Sequence, residues 1–293
     1  MDFSIKKFFR NAQTVEQLLI VNILVFVLIK LFETALFLFK LDNSNYFTLL
    51  GNMAVSANIG VVLHKPWTLL SYMFVHEDFF HILFNMLWLV SFGRIFTEYM
   101  NGRKLLSTYL LGGFAGALVY ILAFNLFPAF ASMIHSSYAI GASAGVLAIV
   151  VATATLLPEY RINLFLFGPV ALKWIAVASV VIDLLSINGT NSGGHLAHLG
   201  GELYGFLFIT HYKKGRDISK GLNTLIDKIA SLFRKKSKLK VAFKRPLTDE
   251  QFQDQKKNRE QQINRILDKI SKSGYDSLTR EEKDTLFKAS KDI

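Results

Sequence analysis

The sequence predicts an all-α polytopic membrane protein, with six transmembrane helices in residues 1–212 and a C-terminal soluble helical tail. Three observations carry that prediction. The chain is 52% apolar, with 26 Phe among 293 residues and only 19% charged residues, and its mean hydropathy is positive at +0.33. Soluble domains of this length ordinarily carry more charge. The charge is also segregated. Leu105 to Leu157, 53 residues, contains no Lys, Arg, Asp or Glu, which is too long for one bilayer crossing and long enough for two. Finally, the net charge of +11 is concentrated in residues 213–245, where 12 Lys or Arg face two Asp.

The six spans are expected at residues 16–40, 79–99, 105–127, 140–157, 162–185 and 194–212, each close to the ~20 residues that a crossing requires. The first contains Lys30 and Glu33 at i,i+3, a spacing that allows an intrahelical pair. The sixth is the weakest by hydropathy, since it holds His195, His198 and Glu202. Polar groups inside a span are costly and face the protein interior, where they serve a function. Residues 41–78 are long for a connection between membrane helices and hold Trp67, Tyr72 and Phe74. Such a loop is expected to be ordered and to lie partly in the outer interface.

Orientation follows from basic residues in the flanking loops. Lys6, Lys7, Arg10, Arg103, Lys104, Arg161 and the basic tail fall on one side, whereas the loops at 128–139 and 186–193 carry no charge. Both termini are therefore expected in the cytoplasm, with a bacterial cytoplasmic membrane as the setting. The N-terminus does not read as a cleaved signal peptide. There is no cysteine, so disulfides, zinc–thiolate sites and cysteine nucleophiles fall away.

Residues 213–246 read as a basic juxtamembrane linker, with RKKSKLK at its centre, suited to anionic lipid headgroups. Residues 247–293 read as a cytoplasmic helical hairpin. Thr248 precedes Gln251, and Thr279 precedes Glu282, each in capping-box spacing, while Gly274 separates the two helices. No nucleic-acid partner is expected.

Topology turns scattered residues into a constellation. With the N-terminus inside, spans two, four and six all enter from the outer face, so their first turns share one depth. They bring His81 and Asn85 after Asp78 as N-cap, Ser143 within Gly141-Ala142-Ser143-Ala144-Gly145, and His195 and His198 after Gly194. A hydroxyl, imidazoles and an amide at one level can supply a nucleophile, a base and oxyanion donors.

These segments resemble the rhomboid family of intramembrane serine proteases. HEDFFHILFNMLW (76–88) is similar to the family's second-helix pattern, GASAG (141–145) to its G-x-S motif, and AHLGGELYG (197–205) to its A-H-x-x-G-x-x-x-G motif. GRIFTEYMNG (93–102) resembles the Arg/Glu element that ends the second helix. The resemblance implies a rhomboid-like bundle in which Ser143 is the nucleophile, His198 the general base, and His81 and Asn85 oxyanion donors beside the Ser143 amide. It implies a dyad, with no carboxylate in a third position, and no metal or organic cofactor. It also implies transmembrane protein substrates.

Gly141 with Gly145, and Gly201 with Gly205, are expected to let spans four and six approach closely. His195 and His76 are read as supporting residues, and Arg94 with Glu98 as a structural pair. Thr68 stands where many members carry Arg after Trp67, which bears on how the preceding loop is anchored. Two other classes stay open: a catalytically inactive rhomboid-like protein that binds membrane-protein clients, and a proton- or ion-linked transporter using intramembrane His, Glu and Asp.

Overall fold

The computed structural model describes residues 13–42, 44–164, 168–233 and 248–290. The chain divides into two compact units, residues 1–234 and 235–293. Lys6, Lys7 and Arg10, and RKKSKLK at 234–240, lie outside the described residues.

In the first unit the long apolar runs form helices, each bounded by a local signal. Helix α1 is Thr14–Leu38. The following loop folds into α2 (Ser44–Met53), α3 (Ile59–His64) and α4 (Thr68–Ser71). Helix α5, Phe79–Tyr99, starts where the Asp78 side chain accepts from the His81 amide at 2.9 Å, which satisfies one of the free N–H groups of the first turn. Helix α6, Gly102–Leu126, is capped in the same way by Asn101. Helix α7 is Ser143–Leu156 and stops just before Pro158. Helix α8 is Leu172–Leu185 and α9 is Ser192–Lys213, the latter capped by Asn191. By length and composition α1, α5 and α6 are long and apolar enough to cross a membrane.

Two expectations change here. Within the fifth span, residues 162–164 and 168–171 form strands rather than helix. Strand β3 (Arg161–Leu164) pairs antiparallel with β4 (Gly168–Ala171), Arg161 opposite Ala171 and Leu164 opposite Gly168. The sequence Arg-Ile-Asn-Leu alternates polar and apolar residues with the period of a strand. Pro169 also lacks the N–H that a helix interior uses. The second change concerns Arg94. It lies 3.9 Å from Glu16 of α1, so the pair joins two helices rather than Arg94 to Glu98.

Helix α7 is the centre of the unit, with ten of its fourteen residues buried. That burial explains why its segment carries no charge. Around it, polar side chains lock the other elements by single hydrogen bonds. The Tyr109 hydroxyl of α6 donates to Met73 O at 2.9 Å and meets Asn22 of α1. The Tyr72 hydroxyl donates to Gly113 O.

The segment read as a linker is partly helical: α10, Lys220–Phe233, belongs to the first unit. Asp227 meets Arg103 at 2.8 Å, and Asp217 meets Lys104 at 3.1 Å, where the Lys104 ammonium also lies 3.7 Å from the centre of the Tyr212 ring. In the second unit, α11 (Asp249–Ser273) opens on the full Thr248–Gln251 capping box and ends at Gly274, whose φ of 76° suits glycine. Helix α12 (Arg280–Ser290) folds back, with Lys269 to Glu282 at 2.8 Å and Leu278 buried.

Candidate active site

The turn before α7 is built from far away in the chain. Strand β1 (Val55–Ser56) pairs antiparallel with β2 (Tyr138–Ala139), Val55 opposite Ala139. The Gly141 amide then donates to Tyr72 O at 2.9 Å. Thr68 is part of this scaffold. It is buried and donates to Lys65 O at 2.7 Å, while Trp67 Nε1 donates to Asn52 O at 2.8 Å and Ser71 to Met53 O at 2.8 Å. Hydrogen bonds to backbone carbonyls thus anchor the loop that lacks the family Arg.

Gly141 has φ of 125°, a backbone conformation that side chains with a Cβ rarely adopt. A Cβ at this position would also meet His81 Nε2 at 2.8 Å. The turn therefore needs glycine twice over, and the imidazole of His81 rests against it. Ser143 follows as the first residue of α7, and the first helical bond of that helix runs from Val146 N to Ala142 O. The amides of Ser143, Ala144 and Gly145 precede that bond, at the positive end of the helix dipole.

Helices α7 and α9 meet at small residues. A Cβ on Gly201 would lie 2.0 Å from Ala144 O, and one on Gly205 would lie 2.2 Å from Ala148 O. The expected close approach of α9 to α7 is present, and glycine supplies it on the α9 side. On the α7 side the contact uses Ala144 and Ala148. Gly145 faces the Tyr109 carbonyl of α6, and Gly141 faces His81, so these two do not form the other half of the α7–α9 contact. The reason is rotational: residue 145 lies ~100° around the helix from 144.

The approach sets Ser143 Oγ 2.7 Å from His198 Nε2. On its other side, His198 Nδ1 lies 2.9 Å from Asp183 Oδ1, and His195 Nδ1 lies 2.6 Å from the same oxygen. A carboxylate accepts and an imidazole N–H donates. Nδ1 of each ring therefore carries the proton, and His198 Nε2 is left to accept from Ser143. Atoms sharing one zinc ion at about 2.1 Å would stand about 3.4 Å apart. Contacts of 2.6 and 2.9 Å are those of hydrogen bonds.

Asp183 is a member of the cluster that the sequence motifs do not single out. A usable signal existed. Asp183 is in the last turn of α8, and only residues 186–191 separate α8 from α9. So short a loop places the end of one helix beside the start of the next.

The Ser143–His198 pair opens on a cavity of about 610 Å³. Phe80, Phe84, Trp88, Ile140, Val146 and Leu147 form the apolar part of its wall, and Glu77, Asp78, His81, Asn85, Tyr138 and Asn191 are the polar groups that line it with the pair. Asn85 is buried, and its amide donates to His81 O at 2.9 Å. An Asn amide has two N–H groups, so this bond leaves the second for another acceptor. His76 is buried with its ring 5.0 Å from that of His81, edge to face. Burial, with His81 beside it, holds His76 well below the ordinary histidine value, at about 4. Glu202 lines a separate apolar groove with Ala176, Val180 and Leu203. Another cavity, of about 710 Å³ at Glu16, Arg94 and Glu98, contains no histidine.

Comparison with known proteins identifies the family. Residues 63–214 match the family model of the rhomboid domain, and residues 248–292 match a family of unknown function (DUF6576). The chain is 30% identical over 138 residues to rhomboid protein 1, mitochondrial, of Saccharomyces cerevisiae, covering 46% of this chain and 38% of that protein. It is 28% identical over 158 residues to RHOMBOID-like protein 12, mitochondrial, of Arabidopsis thaliana, covering 51% of this chain and 47% of that protein. The chain thus spans less than half the length of each of these curated relatives. Both are named as mitochondrial, which lends no support to the expected bacterial membrane.

Proposed function

This chain belongs to the rhomboid family, and on that premise we propose that it is an intramembrane serine endopeptidase cleaving transmembrane segments through Ser143 and His198. The observation that carries this reading is the 2.7 Å contact from Ser143 Oγ to His198 Nε2 in the lining of a cavity of about 610 Å³. Serine is a weak nucleophile until a base takes its proton, and that contact is within the range required.

In the proposed mechanism Ser143 Oγ attacks the scissile carbonyl carbon as its proton passes to His198 Nε2. The carbonyl oxygen gains the negative charge. The Ser143 amide at the start of α7, the free N–H of Asn85 and the His81 ring, which rests on the Gly141 turn, are the donors for it. His198 then gives its proton to the leaving amine. A water, deprotonated by the same nitrogen, hydrolyses the acyl-enzyme and restores Ser143.

We propose six crossings, α1, α5, α6, α7, α8 and α9, with both termini cytoplasmic. Helix α7 has fourteen residues, about 21 Å at 1.5 Å per residue, against a hydrocarbon layer of about 30 Å. A helix that short leaves its first turn below the outer surface, where Ser143 would sit in a recess open to water from that side. Apolar walls suit a substrate helix that unwinds to present one peptide bond.

The test uses the purified full-length chain in detergent with a single-pass substrate of defined sequence. Cleavage by the wild type, and its abolition in Ser143→Ala and in His198→Ala, is the expected result. Persistence of cleavage in Ser143→Ala would remove the dyad, and a wild type that binds such proteins without cleaving them would favour a client-binding role.

A further inference from the structure

Helix α8 is poorly packed except at one point. Trp174, Val177, Val181, Ile182 and Leu185 are exposed. Its buried residues are Leu172 and Ile175 near the start and, in the last turn, Asp183. A carboxylate that is 4% exposed at the end of an apolar helix is costly unless its oxygens are bonded. The compensation here is specific: one oxygen receives the Nδ1 protons of His198 and His195.

We propose that Asp183 is a positioning residue for the reaction, the third member of a Ser143–His198–Asp183 chain of hydrogen bonds, with His195 bracing it from the other side. This rests on the protease reading above. The family resemblance implies a dyad, so the third member is a property of this chain's own geometry. Its role follows from what a base needs. Nε2 of His198 accepts the Ser143 proton only if the ring's own proton is on Nδ1 and the ring is turned to face Ser143. Asp183 enforces both, since an acceptor at 2.9 Å from Nδ1 makes the other tautomer leave a nitrogen lone pair facing a carboxylate. When His198 takes up the Ser143 proton, the ring becomes cationic, and the carboxylate is already beside it. His195, on the same face one turn earlier, donates to the same oxygen and holds the carboxylate in place.

The experiment compares the full-length wild type with Asp183→Asn, Asp183→Glu and Ser143→Ala on the same substrate, with kcat, KM and thermal midpoint measured for each. Asp183→Asn is expected to lower kcat roughly 10²–10⁴-fold with KM within about threefold and the midpoint within a few degrees. Asp183→Glu, which keeps the charge, is expected to recover part of kcat. A merely structural role would lower the midpoint and spare the kcat of the folded fraction.

A second measurement needs no variant at the site: the side-chain nitrogen shifts of His198 in wild-type protein labelled with ¹⁵N-histidine. A proton on Nδ1 is expected, and a ring protonated on Nε2 alone would overturn the proposal. If Ser143→Ala is inactive while Asp183→Asn retains wild-type kcat, the third member is refuted and the protease reading stands. If Ser143→Ala still cleaves, the protease reading itself has failed.

Discussion

Replacing Gly201 with alanine tests the link between helix packing and chemistry most directly. The new Cβ would lie 2.0 Å from Ala144 O, 2.7 Å from its carbonyl carbon and 3.0 Å from its Cα. All three are backbone atoms, so no rotamer change relieves the clash. Ordinary contact begins near 3.4 Å, so α9 must withdraw from α7 by up to about 1.4 Å. Ala144 is the residue after Ser143, and His198 lies one turn before Gly201 on α9. The displacement is therefore applied at the pair itself. A separation of 2.7 Å widened by that amount exceeds the reach of a hydrogen bond. A misplacement of about 1 Å can cost roughly 10²-fold in rate, and overpacking of this kind costs about 1–3 kcal/mol. Gly201→Ala should thus lower kcat on a single-pass substrate by at least about 10²-fold and lower the thermal midpoint in detergent. Wild-type kcat in Gly201→Ala would refute the reasoning, because it would mean that the α7–α9 contact does not set the Ser143–His198 distance.

Two further outcomes follow from the same geometry. Asn85→Ala should reduce kcat about 10²–10³-fold with little change in the thermal midpoint, since its one bond is to a carbonyl of its own helix; a kcat within threefold of wild type would remove Asn85 from the oxyanion donors. His76, held neutral to about pH 4 when folded, has an ordinary value near 6.5 in the unfolded chain. The unfolded state binds the proton first, so the stability that His76 contributes is complete above about pH 6.5 and is lost as pH falls toward 4. The loss reaches on the order of 3 kcal/mol. Thermal midpoints of the Ser143→Ala protein between pH 7.5 and 4.5 should therefore fall more steeply than those of Ser143→Ala with His76→Leu, and equal slopes would show that His76 is not the group responsible.

Much of the fold is legible in the sequence because apolar runs, N-caps and prolines act locally. Asp78 and Asn101 mark helix starts, Pro158 marks the end of α7, and both capping boxes in the second unit are present as spaced. What could not be read is what depends on contact between elements. The stretch from Ile162 is apolar enough to pass for helix, but period-two alternation in 161–164 and the proline at 169 favour the two paired strands. Arg94 and Glu98 have the spacing of a pair on one helix, but Glu16 of α1 is the carboxylate within reach. Asp183 is 12 and 15 residues from its two histidines, a separation with no meaning inside one helix. It acquires meaning only through the turn between α8 and α9. Gly145 lies at the right interval from Gly141 for a helix contact, yet Gly141 precedes the helix and its φ of 125° serves the turn instead.

The ladder between Val55–Ser56 and Tyr138–Ala139 sets the turn at Ser143 apart from the helices around it. Helices form from hydrogen bonds among their own near neighbours. The turn that aims Ser143 has no such autonomy: its shape is held by a segment before α5, through strand pairing and the bond from Gly141 to Tyr72 O. On the proposed reading, a chain with every helix in place and this ladder unmade would keep its helical content and lose cleavage. On the protease reading proposed above, the aim of Ser143 therefore depends on a buried segment far away in the sequence as much as on its own helix.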